Sequence, residues 1–191
     1  KTDDDQRMPG ATPGTTQTAI RDAIADGAGE IDVVFDYAGF QAGDIQGSLA
    51  LLRAADDACY DTENRRIPLK VIVESAAFET NDSLYDACMQ IAQDIGPEFL
   101  KTSSGKHPGG GATLESGVIL MDAASQLDHV GVKISGGVKT NDDCAEYLAL
   151  AQYMFGINKV TPAWLRFGAS GVLDDLLTTL RNDGNTTQTG A

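Results

Sequence analysis

Basic residues are scarce in this chain of 191 residues. Lys and Arg number 14 against 28 Asp and Glu, giving a formal net charge of −14. Such a balance argues against a general binder of nucleic acid or of anionic membranes, since both partners are polyanions. The acidity reads as a soluble surface ahead of a salt-adapted one. Cysteine is nearly absent: Cys59, Cys88 and Cys144 lie far apart, with no CxxC pair. An odd, scattered set in helix-like segments predicts reduced thiols and a cytoplasmic setting rather than a disulfide framework. The two histidines, His107 and His129, do not make a metal site by spacing. No apolar run approaches the ~18 residues of a membrane span, and no signal-peptide pattern is visible. No GxGxxG follows the first strand pattern, which weakens a dinucleotide-binding reading. The chain begins at Lys1, not Met, and reads as a processed or incomplete piece.

What is present alternates. EIDVVFDY (30–37), LKVIVES (69–75), EFLKTSS (98–104), VGVKISG (130–136) and LRFGAS (165–170) read as short buried strands. Between them lie segments of helical period at 16–27, 43–60, 80–95, 114–127 and 141–155, with a last stripe of Val172, Leu173, Leu176, Leu177 and Leu180. Thr80, Thr113 and Thr140 are placed as N-caps, and Gly96 suits the position after a helix end. Residues 1–16 carry no strand signal and read as an irregular N-terminal segment. Residues 17–182 are expected to form the folded domain, and 183–191 a polar, disordered tail.

Strands alternating with helices predict a parallel sheet of βαβ units. The candidates are an open doubly wound sheet and a closed (β/α)8 barrel. Polar residues favour the barrel because Asp32, Glu74, Lys101, Lys133 and glycine pairs gather at strand ends, where barrel enzymes build their sites. A barrel needs eight strands and only five are found. Barrel phosphate sites use the loops after strands 7 and 8. The two glycine-rich strand ends here are the last two, ISGGVKT and FGASG. The expectation is therefore an α/β fold of (β/α)8 TIM-barrel type, incomplete, with about strands 4 to 8 present.

The lysines carry the chemical argument. Lysine is among the residues least often buried, yet Lys101 and Lys133 end two adjacent apolar strands. A neutral amine attacks a carbonyl to form a Schiff base, and an ammonium does not. Bringing a lysine from a pKa of about 10.4 to about 7 takes on the order of 4 to 5 kcal/mol. A second ammonium roughly 6 Å away, at an effective dielectric near 20, supplies about 3 kcal/mol, and partial burial the rest. The bland alternative is that each lysine snorkels to solvent or pairs with a carboxylate. Asp32 lies in an apolar strand, where it needs a partner. It is a candidate for pairing with a lysine and shuttling protons, or for a purely structural ion pair. Glu74 has a weaker claim, as a residue that orients a lysine. SGGV (135–138) and GASG (168–171) precede helical stripes and suit phosphate binding through backbone N–H groups. Lys106 and Lys139 can add charge there, and HPGGGAT (107–113) reads as a flexible loop.

Together these residues resemble deoxyribose-phosphate aldolase, a class I aldolase on a (β/α)8 barrel. The resemblance runs from about Met8 to about Leu177 and rests on GAGEIDVVFDY, LKVIVES, EFLKTSSGK, GATLES, VGVKISGGVKT and RFGASG. It implies that Lys101 forms the Schiff base, that Lys133 favours the neutral amine, and that Asp32 relays protons through water. It further implies that Gly105, Lys106, Gly136, Gly137, Lys139, Gly168, Ser170 and Gly171 surround the substrate phosphate. The implied reaction is reversible cleavage of 2-deoxy-D-ribose 5-phosphate to D-glyceraldehyde 3-phosphate and acetaldehyde, with no metal and no cofactor. The implied partners are sugar phosphate and aldehyde substrates, without nucleic acid or membrane, and a homodimer is a possible assembly. A sugar-phosphate-binding fragment without activity is the alternative, and a related lysine barrel acting on another aldehyde is a third.

Departures from the pattern are specific. Strands 1 to 3 have no counterpart. Met8-Pro9 resembles the turn after strand 3, but KTDDDQR stands where that strand belongs. The usual second serine after GAS is Gly171, and the chain ends in Ala191 with no terminal tyrosine. Five strands leave two edges unpaired and the interior open. The expectation is poor stability, or dimerisation or swapping to cover the edges.

Overall fold

The computed structural model describes residues 11–169 and 171–186, with the backbone alone for 182–186. Five strands, β1 (Ile31–Val34), β2 (Leu69–Ile72), β3 (Phe99–Lys101), β4 (Gly131–Ser135) and β5 (Leu165–Gly168), form one sheet in the order β1-β2-β3-β4-β5. Every pairing is parallel. A doubly wound sheet reverses its strand order at a switch point. This sheet never does, which is the barrel arrangement. Helix α1 (Pro13–Ala25) precedes β1, helices α2 (Tyr37–Gln41), α3 (Ile45–Ala58), α4 (Asn81–Asp94), α5 (Leu114–Ser125) and α6 (Asn141–Phe155) fill the connections, and α7 (Gly171–Thr186) follows β5.

The helix starts follow from their caps. Thr80, Thr113 and Thr140 each accept a hydrogen bond from the N–H three residues on. Gly96, after the α4 end, has φ 62°, a region that costs other residues more. Two boundaries differ from the sequence reading. The segment 1–16 is not irregular throughout, because Thr12 caps a helix that opens on Pro13, with Thr15 returning the bond to the Thr12 N–H. At the other end α7 runs through Thr186, four residues into the expected tail. Adding a residue to an existing helix needs only one more bond. The remainder of the tail, 187–191, lies outside the described residues.

The core lies between the outer face of the sheet and the helices. Val71, Leu100, Val132 and Ile134 from the strands meet Leu49 and Leu52 of α3, Cys88 and Ile91 of α4, and Leu120 and Met121 of α5, all fully buried. Alternation along each strand sends the intervening residues to the concave inner face. The register aligns Asp32 with Lys70, Lys101 with Lys133, and Lys133 with Arg166. Phe99 also belongs to this face and lies against Gly131, where a Cβ would come within 2.6 Å of its ring.

Among the described residues, β1 pairs only with β2 and β5 only with β4. The sheet curls enough for side chains to meet across the gap. Glu30, just before β1, forms an ion pair of 2.5 Å with Arg166 of β5. On α7 the stripe Leu173, Leu176, Leu177 and Leu180 stays 40–59% exposed instead of joining the core. No helix among the described residues is long and apolar enough to cross a membrane. All three cysteines are free and buried.

Candidate active site

Three inward lysines converge on one carboxylate. Lys101 follows Leu100, which is committed to the core, so alternation turns Lys101 inward. Val132 and Ile134 do the same for Lys133. Asp32 Oδ2 accepts a hydrogen bond from Lys101 Nζ at 2.6 Å and lies 3.6 Å from Lys133 Nζ. Its Oδ1 accepts from Lys70 Nζ at 2.8 Å. Lys70 is also 2.7 Å from Glu30 Oε2. The inner face thus carries Lys70, Lys101, Lys133 and Arg166 against Glu30 and Asp32, four cations against two carboxylates.

The titration directions follow from this. Burial pushes the Asp32 carboxyl up, but the hydrogen bonds and charges of Lys101 and Lys70 outweigh it and hold the group at about 2. Glu30 is lowered, first by its hydrogen bond from Lys70 and then by that from Arg166. Lys133 is lowered chiefly by burial; Asp32 opposes this, while Lys101 and Lys70 add to it. Lys133 is the amine with the longest contact to Asp32, so the carboxylate compensates it least.

Above the lysines the strand ends open into a cavity of about 350 Å³. It is lined by Lys101, Lys133 and Lys139 and by Gly105, Gly136, Gly137, Gly168 and Gly171, so the structure brings most of the predicted phosphate residues together. Lys106 is exposed and does not line it. Ser170 lies outside the described residues. Gly105, Gly136 and Gly137 all have positive φ, 77° to 81°, a conformation that glycine adopts without steric cost. Gly171 opens α7, whereas the SGGV turn is separated from α6 by Lys139 and Thr140.

Several neighbours take roles that the sequence does not assign them. Glu74 does not orient a lysine. It is buried, with φ 59°, and accepts from the Ser103 hydroxyl at 2.8 Å, the Ser104 N–H at 3.2 Å and the Ser104 hydroxyl. The Ser103 oxygen in turn accepts from Gly105 N–H at 2.9 Å, so Glu74 holds the 103–105 turn in place. HPGGGAT is not a free loop. Ala112 donates to the Ser135 and Gly136 carbonyls, at 3.2 and 3.0 Å, and a Cβ on Gly111 would fall 2.3 Å from Gly136. Lys70 has no strand-end position to single it out, because it stands at the start of its strand. Its signal was the one that exposed Lys101, a lysine set in an apolar run (LKVIV). Among the described residues no cluster of His, Cys, Asp or Glu is arranged to hold a metal ion.

An amine beside a second amine, a shared carboxylate and a glycine-lined cavity are the parts from which a nucleophile, a proton carrier and an anion cradle can be built. No family model matches the chain. Solved structures do. Putative deoxyribose-phosphate aldolases from Coccidioides immitis and Toxoplasma gondii ME49 superpose with TM-scores of 0.72 and, in the apo form, 0.77, at 24% and 22% identity. The matches cover 90% and 91% of this chain, and 60% and 68% of those chains. QR15, described as an aldolase, gives a TM-score of 0.66 at 21% identity, over 89% of this chain and 68% of that one. The chain therefore has the fold of these aldolase barrels over the 60% to 68% of their length that it spans.

Proposed function

We propose that the chain is a Schiff-base-forming aldolase that reversibly cleaves 2-deoxy-D-ribose 5-phosphate to D-glyceraldehyde 3-phosphate and acetaldehyde. The observation that carries this reading is the register pairing of Lys101 with Lys133, with Asp32 Oδ2 against both amines. In the synthetic direction the neutral Lys101 amine adds to the carbonyl carbon of acetaldehyde. The carbinolamine loses its hydroxyl as water, with a proton relayed by Asp32 and Lys133, and leaves an imine. Loss of a proton from the adjacent carbon gives an enamine. Its carbon attacks the aldehyde of glyceraldehyde 3-phosphate, the new alkoxide takes up a proton, and water releases the product from Lys101. Gly136, Gly137 and Gly171 line the cavity that would receive the phosphate, beside Gly105, whose N–H is held by Ser103. Such an activity serves deoxyribonucleotide breakdown in a cytoplasmic setting.

A binding-only reading has one observation in its favour. The Lys101–Asp32 pair, at 2.6 Å, must open before the amine can attack. Incubation with acetaldehyde and borohydride, followed by peptide mapping, separates the two. The aldolase reading expects an ethyl group on Lys101, lost in Lys133→Met and in Asp32→Asn. Labelling spread over surface lysines, or none, leaves a chain that at most binds sugar phosphates.

A further inference from the structure

We propose that Lys70 is a positioning residue of this site: it pins Asp32 by Oδ1, leaves Oδ2 turned to Lys101 and Lys133, and adds a fixed positive charge beneath them. The inference rests on the aldolase reading for its catalytic meaning. It rests on geometry for everything else. Lys70 does not line the cavity, so it is not placed to touch a ligand. Its side chain is 4% exposed. A buried ammonium is costly unless compensated on more than one side, and Glu30 and Asp32 do this from 2.7 and 2.8 Å. Asp32 Oδ1 is thereby occupied from β2, opposite it in register. The other oxygen is left for the amines of β3 and β4.

Charge gives this role a sign that a packing role lacks. Lys70 pairs with Glu30 and Asp32 on the β1 side; Lys101 on β3 and Lys133 on β4 share Asp32 with it, and Arg166 on β5 shares Glu30. Removing Lys70 changes four cations against two carboxylates into three against two. Removing the Glu30 charge instead leaves four against one. The first change makes the remaining amines easier to protonate, and the second makes it harder.

The test is the pH dependence of the borohydride-trapped ethylation of Lys101 in the full chain. Lys70→Met should move the profile up by about one pH unit, with a roughly tenfold slower rate at neutral pH. Glu30→Gln should move it down, and Lys70→Arg, which keeps the charge, should restore most of the Lys70→Met shift. An unmoved profile, or shifts in the same direction for Lys70→Met and Glu30→Gln, overturns the proposal. Should Lys70→Met fail to fold, the direction of the Glu30→Gln shift decides alone. If the wild-type chain is not labelled on Lys101, it is the aldolase reading that fails. Lys70 is then judged by NMR titration of the lysine ε-carbons. The Lys133 midpoint must rise in Lys70→Met and fall in Glu30→Gln, and midpoints that stay put overturn the proposal.

Discussion

Asp32 answers to three ammonium groups, and its acidity makes part of the fold's stability depend on pH. Its carboxyl is held at about 2 against 3.8 in the unfolded chain. A depressed carboxyl stabilises the folded state above the unfolded value and loses that contribution as pH falls through the folded one. Glu30 is lowered in the same direction. The unfolding free energy measured in urea should therefore drop between about pH 4 and pH 2, by no more than about 2 kcal/mol from Asp32. Asp32→Asn should flatten that part of the curve, and should slow trapping at Lys101 by about 10² or more at neutral pH. Lys101, Lys133 and Asp32 were legible because a charge inside an apolar strand is an anomaly on the page. Lys70 is the same anomaly, but its importance lies in its register with Asp32. Register is set by pairing between strands 38 positions apart in sequence, which no local pattern encodes.

The loops that shape the cavity depend on backbone approaching backbone. Gly111 packs on Gly136 so closely that Gly111→Ala would place its Cβ 2.3 Å from the Gly136 carbonyl carbon. The 107–113 loop would have to move off the SGGV turn. We expect Gly111→Ala to cost about 1 to 3 kcal/mol, as overpacking does, and to weaken competition by inorganic phosphate in the trapping assay. The control is Thr113→Ala, which removes the α5 cap for about 1 kcal/mol and should leave phosphate competition unchanged. Caps were readable because threonine followed by a helical stripe is a local code, and three of them hold as read. The Gly111 contact was not readable. Three glycines in a row signal freedom locally, and only the partner loop, 25 residues on, converts that freedom into a fixed contact.

The count of five strands and their barrel order followed from strand and helix periods together with the glycine-rich ends. How the open side behaves did not, because it depends on what the sheet meets there. The α7 stripe illustrates this: Leu173, Leu176, Leu177 and Leu180 have helical spacing for burial, yet they remain 40–59% exposed. Together with the edges of β1 and β5, they should make the chain self-associate. Sedimentation should show a mass that rises with concentration, and Leu176→Glu with Leu177→Glu should reduce it. A cooperative melt from a concentration-independent monomer would contradict this. The pair between Glu30 and Arg166 has its own consequence. It spans the gap through two partly exposed side chains, 38% and 32%, where a closed barrel would have a ladder of backbone bonds. The molecule is a cuff fastened by a buckle, and salt loosens such a buckle far more readily than it loosens a ladder. Its two edges should part first as ionic strength rises, giving faster amide exchange in β1 and β5 while β3, at the back of the cuff, stays protected.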